Sequence, residues 1–188
     1  SYVVFGSASW SLAELDLASL DGFNGFQING IDGSDTSSGS VSSAGDVNGD
    51  GVDDIIIGAR LADPYGNNNA GESYVVFGST HWSLAELDLS SLDGTNGFQI
   101  NGIDVRDYSG SSVSSAGDVN GDGVDDIIIG ANGASLGGNN NAGESYVVFG
   151  SANWSLAELD LSSLDGTNGF RLNGIDEGDY SGGSVSSA

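Results

Sequence analysis

The chain is 188 residues long, enough for one ordinary domain or part of a larger one, and carries 27 Asp and Glu against 3 Lys and Arg, a formal charge of −24. Such a surface excludes nucleic acid and anionic membrane as partners. Cys and Met are absent and the apolar runs are only a few residues long, so disulfide scaffolds, thiolate chemistry and membrane-inserted helices are excluded too.

Acidity alone would suit a disordered chain, but 38% hydrophobic residues and strings such as Ile55-Ile56-Ile57 and Val75-Val76-Phe77 require a packed core. The string SYVVFGS opens at Ser1, Ser73 and Ser145, a period of 72 residues, and divides the chain into copies 1–72, 73–144 and a truncated 145–188. One copy holds four predicted strands. Residues 72–77 are β-branched and aromatic, and residues 98–101 alternate apolar with polar. Residues 111–115 are small around Val113, and residues 126–129 are continuously apolar after Asp126. The copies differ around Ala8 and Ser9, around Gly33 and Ser34, and between residues 60–65 and 132–137, which read as exposed loops. With 32 Gly and a lone Pro64, tight turns separate the strands.

Between the first two strands lies WSLAELDLSSLDGTNG, beginning at Trp82. Ser83 and Glu86 have capping-box spacing, and Leu84, Leu87 and Leu89 form an apolar side, which predicts one helical turn folded over the sheet edge. The Trp recurs at Trp10 and Trp154, as an aromatic platform for sugar or partner or as a cover for the edge; the need to shield sheet edges favours the cover.

Four antiparallel strands per repeat is the count of a β-propeller blade, so the expected fold is all-β. The chain begins on two strands, passes through two complete sets and ends on a strand at residues 184–186, eleven in all. A closed propeller needs about four blades or more. Some two and a half repeats therefore make an incomplete ring, cut from a longer protein or completed by neighbouring copies or further repeats of the same one.

The motif that carries chemistry is GDVNGDGVDD, at residues 45–54 and again at 117–126. Asp46, Asn48 and Asp50 alternate, so a curling loop can turn three side-chain oxygens inward. Gly51 permits the sharp turn, Val52 offers its carbonyl and Asp54 closes the shell. These are positions 1, 3, 5, 7 and 9 of an oxygen-liganded Ca²⁺ loop. The second loop supplies Asp118, Asn120, Asp122, Val124 and Asp126. An EF-hand would need Glu at position 12, where Ile57 and Ile129 stand inside β-branched runs. Two identical five-ligand loops also disfavour a metal-free Asx turn.

The strings SGSSVSSAGDVNGDGVDDIIIGA from Ser109, its counterpart from Ser38, and the following GESYVVFG resemble the FG-GAP repeats of the integrin α-subunit propeller and its bacterial relatives. The resemblance implies that the loop lies in the hairpin between the first and second strands of a blade, on the lower face, with the same ten residues as ligands. The name-giving Gly-Ala-Pro is Gly58-Ala59-Arg60 and Gly130-Ala131-Asn132 here. The 72-residue period exceeds an integrin repeat because of the Trp/Leu insertion, a look shared with large bacterial surface proteins.

An enzyme is not expected, because proton carriers are scarce: His81 is the only His, and Arg60, Arg106 and Arg171 fall at different repeat positions. The pair Asp104 and Asp107 recurs as Asp32/Asp35 and Asp176/Asp179, which favours a loop role over glycoside chemistry. The reading is a secreted, cell-surface module with structural Ca²⁺, serving adhesion to a cell-surface protein or glycan, or assembly. A self-assembling filament or layer subunit and a carbohydrate-binding lectin stand as alternatives.

Overall fold

The structure, a computed structural model, describes residues 1–8 and 13–187. Trp10 lies outside the described residues. Three sheets stand side by side without closing a ring. The first joins β1 (Tyr2–Val4), β2 (Gly25–Asn29) and β6 (Glu86–Asp88). The second contains β3 (Ser40–Gly45), β4 (Asp54–Ala59), β5 (Glu72–Val76), β7 (Gly97–Asn101) and β11 (Glu158–Asp160) in the order β11-β7-β5-β4-β3. The third contains β8 (Ser109–Gly117), β9 (Asp126–Ala131), β10 (Glu144–Val148) and β12 (Gly169–Asn173) in the order β12-β10-β9-β8. The all-β propeller-blade expectation is met, with four antiparallel strands at the heart of the second and third sheets.

The apolar runs are continuous because the middle sheet is buried on both faces. Ile56, Val75, Phe98 and Ile100 pack with Val113, Ile127 and Ile129 towards the third sheet. Their neighbours Ile57, Tyr74 and Val76 pack with Phe26, Ile28 and Leu87 towards the first. At about 25 cal/mol per Å² of apolar surface, these two cores are the main favourable contribution to folding. They also require close approach of the inner strands. A Cβ on Gly58 would lie 2.1 Å from the backbone oxygen of Gly110, which explains the Gly of Gly58-Ala59.

Two expectations are corrected. The segment after Trp82 is not a capped helical turn: Glu86 lies in β6, and the turn is a 3-10 turn at Leu89–Ser91, one step further on. Leu87 and Leu89 are two apart and both buried, so the segment follows strand periodicity, and the outer edge of the preceding sheet offers it a ladder. The copy after Trp154 does the same through β11 and Leu161–Ser163. The second correction concerns residues 184–186, which form no strand. The inner strands β3 and β8 owe their ladder to β4 and β9, and residues 184–186 have no such neighbour among the described residues. Twelve strands are therefore described instead of eleven.

Candidate metal centre

Each GDVNGDGVDD loop is the hairpin between the two innermost strands of its sheet, β3 and β4 in one case and β8 and β9 in the other. Glycines at positive φ, Gly49 (71°) and Gly51 (88°), let the backbone curl within a few residues. The curl is held by its own side chains. Asp46 Oδ1 accepts the N–H of Asp50 at 2.9 Å and Oδ2 that of Gly51 at 2.9 Å. Asn48 Oδ1 also accepts from Asp50 N at 2.9 Å, and Asp50 Oδ1 accepts from Val52 N at 2.9 Å. The second loop repeats the pattern: Asp118 accepts from Asp122 N at 3.0 Å and Gly123 N at 2.9 Å, Asn120 from Asp122 N at 2.8 Å, and Asp122 from Val124 N at 2.9 Å.

The last carboxylate of each loop is the anchor. Asp54 is 1% exposed; its Oδ2 accepts from Val47 N at 3.0 Å and its Oδ1 from Gly78 N at 2.7 Å. Asp126 does the same with Val119 N at 2.8 Å and Gly150 N at 2.9 Å. The Phe-Gly that follows the third strand thus supplies an N–H to the loop, and a Cβ on Gly78 would meet the oxygen of Asp53 at 2.3 Å. Burial pushes the Asp54 carboxyl up to about 6, offset by its backbone hydrogen bonds and raised further by the charges of Asp50 and Asp46. Burial likewise raises Asp126.

The donor set suits a hard cation. Each loop offers three carboxylates, an amide oxygen and the carbonyl of Val52 or Val124, with no nitrogen or sulfur ligand. Among the described residues no group of three or more His, Cys, Asp or Glu side chains is already gathered around a single point. The ten predicted residues lie together loop by loop, with side-chain oxygens accepting from the loop's own amides and, at Asp54 and Asp126, also from Gly78 N and Gly150 N.

Asp125 escaped sequence reasoning, and the structure gives the recurring Trp its partners. Asp125 Oδ2 accepts the N–H of Asp46 at 2.9 Å across the seam between the sheets, and Asp125 N donates to Asp46 O at 3.2 Å. Trp154 Nε1 donates to Val47 O at 3.0 Å while its ring stacks on Phe98, centroids 4.1 Å apart. Trp82 stacks equally on Phe26 at 4.3 Å. These rings are committed to the fold's own aromatic residues, as an edge cover is. The cover buries Val47 to 1% exposure, whereas its counterpart Val119 is 50% exposed.

The residues weighed for catalysis have structural surroundings. Asp107 Oδ2 accepts the N–H of Asp104 at 3.1 Å and Asp179 Oδ2 that of Asp176 at 3.1 Å, closing one turn in each copy. His81 is exposed; its Nδ1 meets Thr80 Oγ1 at 2.8 Å and its backbone N–H donates to Ser79 Oγ at 3.1 Å.

A sequence model of the family described as FG-GAP repeat matches residues 38–76 and 109–148, segments that each contain one loop and the three strands around it. Integrin alpha pat-2 of Caenorhabditis elegans is 34% identical over 155 residues, covering 77% of this chain and 12% of that protein. Integrin alpha pat-2 of Caenorhabditis briggsae is 34% identical over 115 residues, 60% of this chain and 9% of that protein. The chain spans about a tenth of the length of these relatives.

Proposed function

Residues 38–76 and 109–148 of this chain are FG-GAP repeats, and from that premise we propose that it is a segment of an extracellular, cell-surface propeller array whose two loops hold structural Ca²⁺. The array serves adhesion or assembly and catalyses no reaction. The observation that carries the reading is the duplicated loop, in which an all-oxygen donor set recurs with the same hydrogen bonds at Asp46, Asn48, Asp50 and at Asp118, Asn120, Asp122.

In this reading Asp46, Asn48, Asp50, Val52 and Asp54 hold one ion, and Asp118, Asn120, Asp122, Val124 and Asp126 hold the other. The ion supplies positive charge where the chain places several carboxylates and no cationic side chain. It is structural because the same loops tie neighbouring sheets together through Asp125 and Trp154. Affinities of roughly 10⁻⁴ to 10⁻³ M are those of extracellular modules. Titration calorimetry of the chain with Ca²⁺ tests the reading. Two sites are expected, lost one at a time in D50N and D122N, and absence of binding at millimolar Ca²⁺ overturns it.

A further inference from the structure

An asparagine followed by glycine closes readily into a ring, because glycine puts no side chain in the way of its own nitrogen. The nitrogen attacks the asparagine side-chain carbon, so the reaction needs a free N–H and a side chain turned back onto it. At most of the Asn-Gly steps of this chain the fold withholds one or the other. Gly25, Gly97 and Gly169 are buried at the starts of β2, β7 and β12, where a Cβ would lie 2.2, 2.1 and 2.3 Å from a backbone oxygen. Gly102 N donates to Gly71 O at 2.9 Å, Gly174 N to Gly143 O at 2.8 Å and Gly133 N to Asp107 O at 3.1 Å. Asn29 is pinned within its sheet, with Oδ1 accepting from Gln27 Nε2 and Nδ2 donating to Asp88 Oδ1 at 2.9 Å. Gly121 N donates to Asp118 Oδ1 at 2.7 Å.

Asn48-Gly49 escapes all of these restraints. Gly49 is exposed at φ 71°, and among the described residues its N–H has no hydrogen-bond partner. The Asn48 side chain is folded back: Oδ1 accepts from Asp50 N at 2.9 Å, closing a ring of atoms that contains both the amide carbon and Gly49 N. The Asp50 N–H also sits where negative charge develops on Oδ1 as the carbon is attacked, which is the position of an oxyanion-hole donor. Both walls of the seam are present around this step. A Cβ on Gly49 would lie 3.3 Å from Ala152 Cβ and 3.6 Å from Val124 Cγ2 of the neighbouring blade.

We propose that Asn48-Gly49 is a self-modifying step of this chain. Gly49 N forms a bond to Asn48 Cγ and gives its proton to water; the Cγ–Nδ2 bond breaks and Nδ2 leaves as ammonia. Water then opens the cyclic imide at either carbonyl and leaves aspartate or isoaspartate at position 48, with no oxidant or other reactant. Either product adds negative charge to a loop already rich in carboxylates, and isoaspartate also adds a methylene to the main chain between residues 48 and 49. That displaces Asp50 and Gly51, whose N–H groups are held by Asp46 at 2.9 Å. Ageing therefore opens this loop before the rest of the fold. The proposal goes beyond the functional reading: Asn48 is a candidate ligand there, but the reaction needs no ion, and its test runs in chelator.

Peptide mapping by mass spectrometry, after incubation of the folded chain in chelator at mildly alkaline pH, tests it. Asn48 should deamidate about tenfold faster than Asn101 and Asn132, whose glycine nitrogens must first leave a hydrogen bond. In urea the three steps should react at similar rates, because the hydrogen bonds that separate them are gone. Isoaspartyl methyltransferase should label residue 48 of the aged chain, and the amides of Asp50 and Gly51 should exchange hydrogen faster there than in fresh protein. A rate at Asn48 no greater than at Asn101 and Asn132, a preference for Asn48 that persists unchanged in urea, or Asp50 and Gly51 amides that exchange as in fresh protein would each overturn the proposal.

Discussion

Asp125, in the loop of the third sheet, accepts the backbone N–H of Asp46, the first candidate ligand in the loop of the second, at 2.9 Å. The contact lies at a tight seam: a Cβ on Gly45 would meet Asp125 Oδ2 at 2.3 Å. The two loops are therefore mechanically joined, and the first cannot shift without moving a residue of the second.

Removing that carboxylate leaves a partly buried N–H without its acceptor. D125A should lose about 1–2 kcal/mol in urea unfolding. It should weaken metal binding at the Asp46 loop more than at the Asp118 loop, read by calorimetry in the D122N and D50N backgrounds. Equal weakening at both loops would mean that Asp125 acts through its own loop alone.

Gly58 tests the packing between sheets. Because its missing Cβ would lie 2.1 Å from the Gly110 oxygen, a backbone atom that cannot swing aside, G58A should cost about 3 kcal/mol or more. The comparison is G33A, in open space with no atom within 4 Å, which should change stability by less than about 0.5 kcal/mol. Similar unfolding midpoints for the two would contradict the assigned seam.

Asp107 gives a pH dependence. Burial pushes its carboxyl from the ordinary 3.8 up to about 6, with Asp104 and Glu144 adding repulsion while the Asp104 N–H and Arg171 oppose the rise. The folded state thus binds the proton more tightly than the unfolded one. The penalty of ionisation is fully present above about pH 6 and fades as pH falls towards 3.8. D107N keeps an acceptor for the Asp104 N–H and removes the charge, so it should gain up to about 2 kcal/mol at pH 8. The gain should vanish near pH 4, as read from urea midpoints of variant and wild type across pH.

Much of this was legible in the sequence because the repeat fixes it locally. The β-branched runs at residues 55–57 and 74–76 give the strands, and Asp46, Asn48 and Asp50 in alternation give the loop before any contact is known. Partners far along the chain were not legible. Asp125 reads as one more loop carboxylate, and its bond to Asp46 spans 79 residues. Trp154 binds a carbonyl 107 residues away. The capping-box spacing of Ser83 and Glu86 misled for the same reason. It is a local signal, and the edge of β2 outcompetes it by offering a ladder and burying Leu87.

The central claim is that Ca²⁺ in both loops holds the sheets together, and the melting temperature of the chain with and without the ion tests it most directly. At 10 mM Ca²⁺ and affinities of 10⁻⁴ to 10⁻³ M, each site adds roughly 1.4–2.7 kcal/mol by mass action. For a chain of this size the two sites together correspond to a rise of about 5–15 °C over the chelated protein. The rise should fall by about half in D50N or D122N and disappear in the double variant. A melting temperature unchanged between 10 mM Ca²⁺ and excess chelator would contradict the account.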